Sequence, residues 1–363
     1  MNHLTKVLLL INVIIFCNSV SYSQHGDINP WLRYKLDISS HPTCISIDKK
    51  GIIFIGTENG IVIKSKDKGL SWEQIFESYN HDPVSCILIS NDGAIYIGVS
   101  YPGGCLVVSS GNEGLYKSTN GGRTWNRIIK TIWVNSIIEN GDGSIYVCAN
   151  TFNLETDNYV SKDKGNNWLP INIGLPKEFI TEFYLDSYYN LFAVNFDGGI
   201  YKLNQIKNEW VKVNATLPVK NIGCYLKTSN GTEFISSSDS GLFKSNDNFK
   251  TYIKLDFTLS HQISSLLVNS HNEIFVATYG HGIFYSSDYG KSWNEFNQLL
   301  FNSRYITAMS FDKEQYLYIL GYRYGEENES NDIFDTIRFD LTATDYVLYV
   351  TSRSTVEDEP LIK

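Results

Sequence analysis

The chain has 363 residues, 42% of them hydrophobic and 14% aromatic, which is enough to bury one sizeable core. Its formal charge is −9, or −10 once Lys6 leaves with an N-terminal leader, so it lacks the electrostatic footprint of a protein that binds nucleic acid or an anionic membrane. With 24 Tyr and 19 Phe against 2 Met, and no convincing amphipathic helical period, the composition favours strands.

Residues 1–23 are expected to be a secretory signal: Lys6 opens it, Val7 to Phe16 form the apolar stretch, and Ser21-Tyr22-Ser23 is a small-x-small cleavage site. The apolar run is too short to span a membrane. Trp31-Leu32-Arg33-Tyr34-Lys35-Leu36-Asp37 follows, 41 residues before Trp72, and reads as an outer strand with no unit of its own in front. Next come seven two-strand units: "TCISIDKKGIIFIG", "VSCILISNDGAIYIG", "VNSIIENGDGSIYVC", "ITEFYLDSYYNLFAV", "IGCYLKTSNGTEFIS", "ISSLLVNSHNEIFVA" and "ITAMSFDKEQYLYIL". Each is a pair of β-patterned runs around an Asn/Asp/Gly-rich turn.

Six units are followed by a second motif. Four copies are clear: Ser65, Asp67, Gly69 and Trp72; Ser118, Gly122 and Trp125; Ser161, Asp163, Gly165 and Trp168; Ser286, Asp288, Gly290 and Trp293. Two worn copies end at Trp210 and Tyr252. The closing aromatics fall at 72, 125, 168, 210, 252 and 293, a repeat of 41–43 residues apart from one step of 53. Ser and Asp side chains accept hydrogen bonds from their own turn, Gly supplies a positive φ, and the Trp adds about 2–3 kcal/mol of apolar burial.

These strings resemble the Asp-box (bacterial neuraminidase) repeat family. In that family the box joins the two outer strands of a β-propeller blade, on the rim and away from the ligand face. The implied fold is all-β: a seven-bladed β-propeller of four-stranded antiparallel blades, its ring closed by strand 31–37 joining the last blade. Residues 24–351 form the propeller. Residues 352–363 are a polar linker resembling the segment that precedes a C-terminal sorting domain of secreted bacterial proteins. The expected address is secreted, periplasmic or cell-surface.

Two insertions, 99–114 and 321–345, interrupt blades two and seven. Five cysteines remain after the leader, and their spacing fits no zinc pattern. Cys44, Cys86 and Cys224 share one inner-strand slot with Ser136, Ser265 and Ala308, so they read as small buried groups; Cys105 lies in an insertion. No metal or cofactor is expected.

In a propeller the loops between blades, and between the second and third strands, share one face. The candidate ligand-binding residues there are Tyr79, His81, Tyr101, Asp197, Asp239, Tyr279, His281, Arg304, Tyr322 and Arg323. Aromatic platforms of this kind suit sugar rings or peptide side chains. Three functions are open. A sialidase needs an arginine cluster and an Arg-Ile-Pro motif; only Arg304 and Arg323 fall on this face, and the motif is absent. A glycoside hydrolase resembling the Asp-box xyloglucanases needs two acidic residues, for which Glu58, Asp82, Asp157, Asp197 and Asp239 are available. The favoured reading is a secreted, non-catalytic, monomeric propeller that binds a protein or carbohydrate. It resembles single-domain propellers of the photosystem II assembly-factor type, without their basic patch.

Overall fold

The computed structural model describes residues 31–36, 40–100, 111–151, 157–186, 188–214, 222–238, 240–255, 263–296, 305–324 and 343–351, with the backbone alone at 31–36, 322–324 and 343–351. Strand β1 (Trp31–Leu36) comes first. Strands β2 (Pro42–Ile47), β3 (Ile53–Thr57), β4 (Ile61–Ser65) and β5 (Glu73–Glu77) then pair in sequence order as one antiparallel blade. The second blade is β6 (Val84–Ile89), β7 (Ile95–Val99), β8 (Gly114–Ser118) and β9 (Asn126–Lys130). The third is β10 (Trp133–Glu139), β11 (Ile145–Asn150), β12 (Tyr159–Ser161) and β13 (Leu169–Pro170). The fourth is β14 (Ile180–Leu185), β15 (Leu191–Asn195), β16 (Ile200–Asn204) and β17 (Glu209–Lys212). The fifth is β18 (Ile222–Lys227), β19 (Glu233–Ser237), β20 (Gly241–Ser245) and β21 (Ile253–Lys254). The sixth is β22 (Ile263–Val268), β23 (Ile274–Thr278), β24 (Gly282–Ser286) and β25 (Asn294–Glu295). Last come β26 (Tyr305–Phe311), β27 (Leu317–Tyr324) and β28 (Ala343–Thr351).

The seven-blade expectation needs a correction here: the blades that repeat as continuous stretches of chain number six, not seven. The further four-stranded sheet is a composite in the order β1-β28-β27-β26, with Trp31 opposite Thr351 and Leu36 opposite Tyr346. The innermost strands pack around a closed circuit: β2 on β6, β6 on β10, β10 on β14, β14 on β18, β18 on β22, β22 on β26, and β26 back on β2. Closure leaves only the outer strands as edges, and β13, β21 and β25 are two residues long. Among the described residues no helix is long and apolar enough to cross a membrane.

Second strands such as "IFIGT" of β3, "IYIGV" of β7 and "IFVAT" of β23 are buried at every position, because neighbouring blades cover both faces. Their side chains join clusters that bridge two blades, as where Phe54 and Val62 meet Val84, Ile95 and Ile97. Each such aliphatic or aromatic side chain contributes about 1.5–3 kcal/mol on burial. The ring is thus held by blade-to-blade packing. Inner strands are half-buried along most of their length, as expected for the wall of a central channel.

Candidate ligand-binding face

The repeated turn is built from the same short set of hydrogen bonds in several blades. In the sixth blade the Ser286 hydroxyl donates to Asp288 Oδ1 at 2.8 Å and accepts the Gly290 N–H at 2.7 Å. Asp288 then accepts from the Ser292 N–H at 2.9 Å and the Ser292 hydroxyl at 2.6 Å. The two serine bonds recur around Ser65/Asp67, Ser161/Asp163 and Ser245/Asp247, and Asn120 replaces the aspartate beside Ser118. These bonds stabilise the ionised carboxylate. Donation from Asn167 holds Asp163 down at about 2, donation from Thr251 does so for Asp247, and at Asp288 the Ser292 bonds outweigh the opposing effect of burial. The fifth residue of each turn has a positive φ: Gly165 at 73°, Gly290 at 76°, and, against expectation for its type, Phe249 at 54°. A Cβ at Gly165 would also lie 2.7 Å from the Tyr96 hydroxyl of the preceding blade, so both space and φ demand glycine there.

The turns also clasp the neighbouring blade. Lys64 Nζ donates to Gly121 O at 2.8 Å, Lys117 Nζ to Lys164 O at 2.6 Å, and Lys244 Nζ to Tyr289 O at 2.5 Å, each from one blade to the next blade's turn. The indole N–H groups of Trp125 and Trp210 donate back to Ile75 O at 2.7 Å and Ile171 O at 2.5 Å. Trp210 closes a turn without the Ser/Asp pair, yet it is 2% exposed and spans two blades. The side chains and carbonyls of these turns are therefore engaged in hydrogen bonds within a blade and to its neighbour.

The opposite end of each blade carries loops with exposed aromatics. Tyr79 is 82% exposed, Phe196 43% and Tyr279 38%. Trp133 and Phe179 meet edge to face at 6.4 Å across the third and fourth blades. Phe196 N–H donates to Phe179 O at 3.0 Å and ties the aromatics of the fourth blade together. His81 is exposed at a φ of 58° in the loop after β5, 3.8 Å from Glu77. Asp197 is exposed in the turn between β15 and β16, and His281 is half-buried between β23 and β24. Tyr101, Asp239 and Arg304 lie outside the described residues. Tyr322 and Arg323, expected in a loop, are instead part of β27, opposite Tyr346 and Asp345. Insertion 321–345 contributes both its ends to strands, which leaves 325–342 between them.

The carboxylates considered for hydrolysis sit in different surroundings. Glu58 is 3.1 Å from His41. Asp82 is 4% exposed, in the loop where the Ser78 hydroxyl donates to its carbonyl at 2.9 Å. Asp157 lines a cavity of about 370 Å³ with Arg127, Lys130 and Thr131. The Arg127 guanidinium donates to Gly111 O and Glu113 O. Among the described residues no group of three His, Cys, Asp or Glu is placed to hold a metal ion.

The channel wall holds a residue that sequence reasoning passed over. Every inner strand has a β-bulge near its start, as between Pro42 and Cys44, Val84 and Cys86, Val134 and Ser136, and Ile180 and Glu182. The residue after the bulge reaches the next blade's inner strand: the Cys86 thiol approaches Val134 O at 3.7 Å, Ser136 Oγ accepts the Phe183 N–H at 3.0 Å, and Glu182 Oε2 accepts the Tyr225 N–H at 3.3 Å. Other blades place Cys, Ser or Ala in this slot, and the fourth blade places a glutamate. Burial pushes the Glu182 carboxyl up to about 7, only partly offset by the Tyr225 N–H. The signal was available, because "ITEFYL" aligns with "VSCILI" and "VNSIIE" with Glu where the others are small. The slot thiols are inert for the same reason: burial pushes Cys44 up to about 11 and both Cys86 and Cys224 up to about 12. Cys44, Cys86, Cys148 and Cys224 are not in disulfides, and Cys105 lies outside the described residues.

Neither a family model nor a curated protein matches this sequence. Solved structures do match in fold. A structure described as YCF48 bound to D1 peptide has a TM-score of 0.65 at 16% identity, covering 90% of this chain and 97% of its own. Virginiamycin B lyase from Staphylococcus aureus has a TM-score of 0.65 at 12% identity, covering 88% of this chain and 98% of its own. The GH74 xyloglucanase from Xanthomonas campestris has a TM-score of 0.61 at 13% identity, covering 81% of this chain and 54% of its own. At these identities the likeness shows fold alone, and the neighbours include both enzymes and a peptide-bound protein. The chain is a β-propeller with four-stranded antiparallel blades.

Proposed function

We propose that this chain is an exported, non-catalytic propeller that binds a protein partner through its loop face. One observation carries the reading: exposed Tyr79, Phe196 and Tyr279, with the Trp133–Phe179 pair, stand on the face opposite the clasped turns. Aromatic side chains around an open mouth supply large contact area at low conformational cost. The peptide-bound YCF48 structure, alike in fold, supports use of such a face for a peptide. The leader-like segment 1–23 supports export. The Asp-box resemblance fits the observed Ser/Asp turns and assigns them to scaffold.

Panning the full mature chain against a displayed peptide library tests this reading. Selected peptides are expected to lose at least tenfold in affinity on Tyr279→Ala or Phe196→Ala and to bind Asp288→Asn unchanged. Loss confined to Asp288→Asn would overturn it. Turnover of a glycoside abolished by Asp197→Asn would favour the two-carboxylate hydrolase instead.

A further inference from the structure

An Asn-Gly pair is prone to spontaneous deamidation, because the glycine has no side chain to keep its nitrogen away from the asparagine Cγ. The chain holds four such pairs, at Asn59, Asn120, Asn140 and Asn230. Three are restrained. Gly60 N–H donates to Thr57 O at 3.1 Å and Gly231 N–H to Thr228 O at 2.9 Å, so each nitrogen is tied to the backbone of its own turn. Gly141 N–H donates to Asn140 Oδ1 at 2.7 Å, and Asn140 is 5% exposed, shielded from the water and hydroxide that the reaction needs. The pair in the turn of the second blade differs. Asn120 and Gly121 are both exposed, and among the described residues the Gly121 N–H donates to no acceptor. The space around Gly121 is open, with nothing within 4 Å of where a Cβ would stand.

Asn120 also occupies a slot that the turns of the first, third, fifth and sixth blades give to aspartate. Its Oδ1 accepts from the Ser118 hydroxyl and the Thr124 N–H, both at 3.0 Å, as the carboxylates do. Its Nδ2, however, donates to Thr124 Oγ1 at 2.7 Å. In the fifth blade, where the partner is again threonine, Asp247 Oδ2 accepts the Thr251 hydroxyl at 2.6 Å. An aspartate at position 120 therefore needs only a rotation of the Thr124 hydroxyl. A cation already stands beside the turn: Lys64 Nζ donates to Gly121 O at 2.8 Å, as Lys244 Nζ does to Tyr289 O next to Asp288.

We propose that Asn120 is a site of spontaneous deamidation, and that the turn of the second blade favours the aspartate product, which completes the motif of its neighbours. The Gly121 nitrogen gives its proton to hydroxide and attacks Asn120 Cγ. The new C–N bond closes a succinimide, and the side-chain nitrogen leaves as ammonia. Water then opens the ring. Attack at Cγ gives aspartate; attack at the backbone carbonyl gives isoaspartate. The net change is one water consumed and one ammonia released, with one negative charge gained at the rim. Isoaspartate inserts a methylene into the backbone between Ser118 and Gly122, whose N–H donates to Ser118 Oγ at 3.0 Å, and so disrupts the turn. Isoaspartate also re-closes to the succinimide, and the cycle collects the folded chain in the form that the turn stabilises. This modification lies on the rim and is independent of the binding reading above.

The test ages the full chain at pH 8, native and in urea, and follows the four pairs by peptide mass mapping. Conversion reads as a gain of about 1 Da, and chromatography separates aspartate from isoaspartate. In the native protein Asn120 is expected to convert at least tenfold faster than Asn59, Asn140 or Asn230, whereas in urea all four convert at similar rates. The aspartate share at position 120 is expected to be higher in native protein than in urea. Gly121→Lys should slow conversion at least tenfold and still fold, because Lys68 and Lys164 hold the same position at a φ of 59° in the first and third blades. Asn120→Asp, which supplies the product directly, should raise the thermal midpoint by about 1–3 °C. Native Asn120 that stays intact while another pair converts, the same product ratio in both conditions, or a lower midpoint in Asn120→Asp would overturn the proposal.

Discussion

Replacing Glu182 with Gln should stabilise the protein, and only above a defined pH. In the folded chain the carboxyl holds its proton up to about 7, against an ordinary value of 4.5. Between those values the folded state binds more protons than the unfolded state, so this group makes stability fall as pH rises, and the loss levels off above 7. The full gap corresponds to roughly 3 kcal/mol, and channel water screens part of it, which leaves about 1–3 kcal/mol. Glutamine has the same shape, keeps the bond to the Tyr225 N–H and never ionises. Urea unfolding of both proteins from pH 4.5 to 8.5 should therefore give a stability difference near zero at pH 4.5 that grows to about 1–3 kcal/mol in favour of Gln by pH 8. A difference that stays flat across this range, or that favours Glu at pH 8, would refute the placement of an uncompensated carboxylate in the wall.

The remaining predictions concern the scaffold. Asp288→Ala removes acceptors for Ser286, Lys291 and Ser292, and should cost about 1–3 kcal/mol in urea unfolding without moving any loop-face affinity. Asp163, Asp247 and Asp288 sit at about 2 when folded and near the ordinary carboxylate value when unfolded, so their contribution is present above pH 4 and lost as pH falls from 4 to 2; the alanine variant should have a flatter thermal midpoint across that window. Phe249→Ala empties a fully buried site between the fourth and fifth blades, beside Tyr225 at 6.5 Å, and should cost about 3–5 kcal/mol. Native protein treated with a thiol reagent at pH 8 should remain unlabelled at buried Cys148 and label only slowly at half-buried Cys44, Cys86 and Cys224, whose thiols are pushed up, with all four labelled in urea by peptide mass mapping; rapid native labelling at any of them would contradict this.

Much of this fold was readable because its punctuation is local. The Ser–x–Asp–x–Gly turn is decided within about five residues, so Ser286, Asp288 and Gly290 announce it unaided. The pairing of Trp31 to Leu36 with the last strand was legible from spacing, since Trp31 lies one repeat before Trp72. What the spacing did not separate was the count: six blades are continuous stretches of chain, and the further sheet is a composite of the two ends. Tyr322 and Arg323 were placed in a loop because a polar insertion follows them, whereas strand pairing with Asp345 and Tyr346 carries β27 further. The clasping role of Lys64, Lys117 and Lys244 was hidden because each bonds a turn 45 to 57 residues away. Glu182 was visible as a residue but not as a site. Its importance comes from what the other six slots lack, and that comparison requires the bulge to align them.

The division of labour between the two faces is the claim that most needs a direct measurement. Hydrogen exchange of the full chain, with and without a saturating peptide selected from the displayed library, reads both faces at once. Slowed exchange is expected at the loop-face segments Thr57–Gly60, Asn195–Gly199 and Thr278–Gly282, with the turns at Ser65–Trp72, Ser161–Trp168 and Ser286–Trp293 unchanged. Protection centred on those turns, with the loop-face segments untouched, would contradict it.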